Sequence, residues 1–167
     1  ILIHGQFIRP DQVQELKSLG IFPSMFPMHT FYWGDWYKQI VGPEQAARIS
    51  PMRSILNTGL HATSHTDAPV ALPNLMQVAW ATVNRTSRSG TIIGADERVT
   101  PYEAMKMITL WGAEQFGEQA TKGSIQEGKL ADLVVLSDNP LTVDPATINQ
   151  IQVLETIKEG KTVWVRE

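Results

Sequence analysis

The chain has 167 residues, 14 basic against 17 acidic side chains and a formal net charge of −3, so it offers no cationic surface to nucleic acid. An apolar share of 43% against 19% charged residues suits a folded globular chain rather than a disordered one. There is no cysteine, which excludes a disulfide framework and a thiolate metal site, and no apolar run approaches the ~20 residues that cross a bilayer. No membrane partner is therefore expected. Ile1-Leu2-Ile3 is too short for the apolar core of a signal peptide, and the cytoplasm is the default compartment.

Residues 1–6 read as a buried strand that begins without a lead-in. Residues 10–20 then read as a helix, with Pro10 in the first turn, Val13, Leu16 and Leu19 at helical spacing, and Gly20 at the C-terminal cap. A second strand over 21–25 leads into Phe26-Pro27-Met28-His29, and this order predicts a right-handed parallel βαβ unit. Residues 30–41 concentrate Phe31, Tyr32, Trp33, Trp36 and Tyr37; a loop folded over the core and a substrate-pocket wall both account for them. Short helices are expected at 43–49 and 53–57, a strand at 60–64, and a helix capped by Asn74 running toward Arg85. Residues 90–98 read as loop.

Thr100-Pro101-Tyr102-Glu103 combines an N-cap threonine, a proline at the first helical position and a capping-box glutamate, starting a helix that should run to about Gly117. Beyond it the pattern turns to β at 131–136, 152–157 and 162–165, with Glu159-Gly160-Lys161 joining the last two as a hairpin. Asp144-Pro145 should start a short helical turn. The chain thus divides near Thr121, with about three βα units over 1–120 and a small antiparallel piece over 121–167. A closed eight-stranded barrel takes ~250 residues and rarely fewer than ~200, so residues 1–120 cannot be a complete one.

The run from Gly59 to Val70 packs His61, His65 and Asp67 together and stops at Pro69. Leu60, Ala62 and Ser64 alternate with His61, Thr63 and His65, predicting a short extended segment that delivers Asp67 to its end. Ligand and catalytic groups gather at such strand ends in α/β proteins, although an aspartate there can equally cap the turn before Ala68-Pro69. His4, ending the first strand, is open between a hydrogen-bonded structural role and a ligand role. His29 is open between a solvent-facing polar residue and a substrate contact.

Thr66-Asp67-Ala68-Pro69-Val70, followed by the helical segment toward Arg85, is similar to the last barrel strand and loop of the amidohydrolase superfamily. The branch it resembles is amidohydrolase 3, which includes N-substituted formamide deformylases; the usual pattern there is Gly-Ser-Asp-(Ala)-Pro-Val, against His65-Thr66-Asp67 here. Residues 122–136, with Gly123-Ser124-Ile125 and Glu127-Gly128-Lys129-Leu130-Ala131-Asp132-Leu133-Val134-Val135-Leu136, resemble the family's crossing from barrel to small β-sandwich. Glu159-Gly160-Lys161-Thr162-Val163 resembles its last hairpin. Ile3-His4-Gly5-Gln6 stands where the family reads Glu-His-Ala-Gln, and Pro27-Met28-His29 follows in family order.

The resemblance implies an α/β fold: the C-terminal part of a metal-dependent-hydrolase TIM barrel, family strands six to eight, plus part of a small β-sandwich. It implies hydrolysis of a non-peptide carbon–nitrogen bond in a small amide or formamide-like substrate. Asp67 would bind metal and shuttle the proton of the attacking water, His4 would bind metal, and His29 would contact the substrate or its polarised oxygen. His61 has no counterpart and reads as structural, while the role of His65 is open. The implied cofactor is a divalent metal, zinc first. The family's remaining ligands fall upstream of Ile1 in its layout, so the chain alone is expected to be inactive and to hold little or no stoichiometric metal. The alternative is a truncated or split non-catalytic remnant that only associates with itself or a complementary chain. Unpaired edges at the strands of 1–4 and 60–64 predict a homodimer or larger oligomer.

Overall fold

Two sheets of three strands each organise residues 1–167, all of which the computed structural model describes. The first is parallel, in the order β1 (Leu2–His4), β2 (Pro23–Met25), β3 (Thr63–Ser64). Its register places Ile3, Ser24 and Thr63 side by side, and then His4, Met25 and Ser64. Helix α1 (Pro10–Ser18) makes the expected crossover from β1 to β2 and buries Val13 and Leu16. Gly20, at φ +63°, ends it by donating its N–H to Lys17 O, a left-handed conformation that glycine adopts without a Cβ clash. β1 is not the buried strand its apolar sequence suggested. It pairs on one side only, and Ile3 is 53% exposed.

Residues 30–41 are helix rather than loop: α2 spans Met28–Ile40. No side chain caps its start, and aromatics occupy several of its faces, so neither a capping signal nor a clean polar face marks it in the sequence. Gly34 is needed there for space, because an added Cβ would sit 2.6 Å from Ile93 Cγ1. The short helices α3 (Pro43–Ala47) and α4 (Met52–Asn57) follow, and then β3, which is shorter than the alternation at 60–64 suggests.

Helix α5 (Leu75–Asn84) starts as its sequence demands: Asn74 Oδ1 accepts the N–H groups of Met76 and Gln77, each at 3.1 Å. In α6 (Pro101–Ile108) the Glu103 N–H donates to Thr100 Oγ1 at 3.2 Å, and the Thr100 N–H donates to Glu103 Oε2 at 2.7 Å. The expected run to Gly117 breaks at Thr109, at φ −130° and ψ −90°, before α7 (Leu110–Gln115). The cause is tertiary. The loop at Gly123 presses on this point so closely that a Cβ there would lie 2.9 Å from Leu110 Cα.

The core gathers between the parallel sheet and its helices, with Met25, Met52, Ile55, Met107 and Ile148 each no more than 1% exposed. A smaller cluster of Phe26, Met28, Ala71, Val78 and Ala81 packs α2 and α5 together beside the strand ends. Arg85, fully buried, donates to the carbonyls of Ile93 (2.7 Å), Ser50 (2.9 Å) and Ile49 (2.7 Å). Ser50 in turn donates its N–H to Gln6 O, just past the end of β1, so the guanidinium braces the loops behind the strand ends.

The second sheet is an antiparallel meander, β4 (Leu133–Leu136), β5 (Val153–Lys158) and β6 (Lys161–Val165). Glu159 and Gly160 turn β5 into β6 with φ +48° and +76°, the two left-handed residues of a tight hairpin turn. Asp144 Oδ1 accepts the Ala146 N–H to start a short turn of helix at Pro145–Gln150. Trp80 of α5 clamps that turn by donating Nε1–H to Ala146 O at 2.9 Å. An open groove lies between this sheet and the helices, lined by Met76, Met105, Ile108, Leu133, Ile157 and Trp164.

Candidate metal centre

Register decides which side chains meet. His4, Met25 and Ser64 are level, and the ladder continues one step beyond β3, where the His65 N–H donates to Met25 O at 3.0 Å. His4, Phe26 and His65 therefore emerge together at the C-terminal edge of the sheet, and the turn beyond β3 brings Asp67 to the same place. His29, the second residue of α2, completes the group. Phe26 is the common platform: its ring stacks on His65 at 5.4 Å and 19°, meets His29 edge-on at 4.7 Å, and lies 5.8 Å from His4.

Asp67 Oδ2 is 3.3 Å from His4 Nε2. One ligand atom from each of His4, His65 and Asp67 lies within 4.8 Å of the other two. The His29 ring is 5.7 Å from that of His4, and Trp33 stands 5.9 Å beyond His29. Two of these residues hold left-handed backbone, His4 at φ +69° and Asp67 at φ +52°. Such a conformation costs a side-chain-bearing residue about 1–2 kcal/mol, and strain of this kind concentrates at sites where direction matters.

Burial holds the His29 imidazole down at about 4, helped by the neighbouring His4 and His65 and opposed by Asp67. His65 is likewise lowered, first by burial and then by His4, against Asp67 and a hydrogen bond to the Ser24 backbone. At neutral pH His29 is therefore an uncharged imidazole. Nε2 of His65 and Nδ1 of His29 are buried without a hydrogen-bond partner, and His4 Nε2 has only the approach of Asp67 Oδ2, too poorly aligned for a hydrogen bond. Unpaired buried polar atoms are rare, and their gathering at one place suits an electrophilic ligand. Imidazole nitrogens with one carboxylate suit a zinc-like divalent ion, so the residues present fit such a metal.

The structure brings His4, His29 and Asp67 together. His61 stays apart, its Nδ1 2.6 Å from Glu114 Oε2 and its ring stacked on Trp111 at 4.6 Å. His65 is the residue that sequence reasoning left unassigned. Its signal was the histidine two residues before Asp67, where the resembling pattern has a glycine.

A family model described as the amidohydrolase family matches residues 1–164. The N-substituted formamide deformylase of Arthrobacter pascens is 31% identical over 160 residues, covering 95% of this chain and 30% of that protein. A metal-dependent hydrolase from Pyrococcus horikoshii superposes with a TM-score of 0.71 at 21% identity, over 86% of this chain and 29% of its own. An adenosine deaminase from Xanthomonas campestris, solved with bound zinc, superposes with a TM-score of 0.70 at 17% identity, over 98% of this chain and 36% of its own. The chain thus spans about a third of the length of the proteins it matches. With the match running through both sheets, the chain belongs to the amidohydrolase family.

Proposed function

We propose that these residues are the C-terminal part of a metal-dependent hydrolase that cleaves a non-peptide carbon–nitrogen bond in a small amide or formamide-like substrate. In this reading residues 1–120 are three βα units of a TIM barrel, and residues 121–167 contribute to its small β-sandwich. The observation that carries it is the convergence of His4, His29, His65 and Asp67, with orphaned nitrogens, at the C-terminal ends of three parallel strands. That is where enzymes of this architecture place their chemistry. The formamide-cleaving relative supports the substrate class.

His4 and Asp67 would hold the metal, zinc first, and a divalent ion at such a place would polarise a carbonyl and lower the pKa of bound water to about 7. Asp67 accepts the proton that the attacking water loses as its oxygen bonds to the carbonyl carbon. The same carboxyl then gives that proton to the amine nitrogen as the carbon–nitrogen bond breaks, so it ends the cycle ionised. His29, uncharged at neutral pH, can donate one ring N–H to the substrate oxygen while charge develops there. Trp33 and Phe26 wall one side of the site with apolar surface.

The test is an exchange in which this chain replaces the matching stretch of the Arthrobacter deformylase. The chimera should release amine from N-substituted formamides or simple amides and lose that activity to a chelator. A folded chimera that releases none would overturn the reading. The second reading, a non-catalytic piece that associates with its own copy, is favoured by the apolar residues facing solvent on the second sheet: Val134 (55% exposed), Val163 (59%) and Val165 (58%). Light scattering of the chain alone bears on it, with 18.6 kDa marking a monomer.

A further inference from the structure

We infer that His65 is the third protein ligand of a single divalent-metal site which this chain assembles by itself, with His4 and Asp67 as the other two. The inference rests on the metal-dependent reading for the kind of ion, and on geometry for the ligand. A catalytic zinc site takes three protein donors and keeps one position open. Metal–ligand bonds of 2.0–2.1 Å put the corners of a tetrahedral site roughly 3.3 Å apart. His4 Nε2 and Asp67 Oδ2 already stand at 3.3 Å. The His65 donor lies within 4.8 Å of both.

The His65 ring is held ready for this task. Its backbone is pinned to Met25 O, and its face lies on Phe26. Its Nε2 is buried and pairs with nothing. A histidine serving only as packing would be expected to find a partner for that nitrogen. His29 Nδ1, also unpaired, stands beside His4, where it could hydrogen-bond a further ligand of such an ion. A third donor reverses the expectation that the chain alone retains little metal.

The test is cobalt(II) and zinc(II) titration of the metal-free 167-residue chain, read by visible absorption and calorimetry. The parent should take up one ion per chain, with the intense d–d bands of a four-coordinate site. His65→Gln should weaken binding at least about tenfold, as should His4→Gln. His65→Cys, which replaces one zinc ligand with another, should keep cobalt binding and add a thiolate-to-cobalt charge-transfer band in the near ultraviolet. No uptake by the folded parent would overturn the inference, as would unchanged affinity in His65→Gln. Should His65→Gln fail to fold, a His65→Cys chain that binds cobalt without the new band would overturn it equally. Metal uptake and amine release are separate readouts. Loss of the His65 effect leaves the hydrolytic reading standing, and metal bound by a chimera that releases no amine defeats that reading alone.

Discussion

β2 and β6 are both strands of three-stranded sheets, yet β2 is buried at every residue and β6 is exposed at every residue. β2 is the centre of a parallel sheet covered by helices, as parallel strands require. β6 is an edge whose valines and tryptophan reach solvent. The histidine–aspartate group grows from the ends of the two strands that flank β2, which its register holds level. The second sheet carries no comparable group. A site that must hold donors a few ångströms apart belongs on the rigid platform, and the exposed meander is free to serve as a contact surface.

The largest way to break this comparison is to hollow out both regions. Ile55→Ala, at a fully buried position, should cost about 3 kcal/mol of stability in urea unfolding. Val163→Ala on β6 should change stability by no more than about 0.5 kcal/mol. Comparable losses at the two positions would show that the meander is packed as tightly as the parallel sheet.

A smaller effect comes from the ion pair that ties α6 to α4. Arg53 donates Nη1–H to Glu103 Oε1 at 2.9 Å and Nη2–H to Oε2 at 2.5 Å, and this bonding, aided by Thr100, holds the Glu103 carboxyl at about 2. Because the folded value is depressed, the stabilisation is present above the ordinary value of 4.5 and disappears as pH falls from there toward 2. Glu103→Gln should cost on the order of 2 kcal/mol at pH 7 and nothing near pH 2. A constant difference between parent and variant from pH 7 to 2 would contradict it. On the second sheet Lys158 and Glu159 are exposed and 3.8 Å apart, so Glu159→Gln should leave stability unchanged within error.

Smallest is the cap of α6. Thr100→Ala removes the acceptor for the Glu103 N–H and should cost about 1 kcal/mol. Thr100→Ser should restore most of it. Equal losses in the two variants would assign the effect to the methyl group rather than to the hydroxyl.

What could be read from the sequence was the local chemistry. Asn74, Thr100, Asp144 and Gly20 announce helix ends because each satisfies backbone groups within a few residues, and Glu159-Gly160 announces its turn for the same reason. The misreadings came from contacts far along the chain. Gly34 of α2 lies against Ile93, and Gly123 lies against Leu110 beside the break at Thr109, and no local pattern encodes either contact. The site divides the same way. Strand order put His4, His29 and Asp67 at neighbouring ends, whereas His65 became a donor candidate only when the register showed which way its ring emerges.

The most direct measurement is kcat for Asp67→Asn in the chimera that carries this chain in place of the deformylase's matching stretch, taken at saturating zinc. Asparagine keeps the shape of the aspartate but cannot accept a proton. The proton-transfer role predicts that kcat falls by well over a hundredfold, while the melting temperature stays close to that of the parent chimera. Retention of more than about a tenth of the parent kcat, a barrier increase of less than ~1.4 kcal/mol, would contradict it.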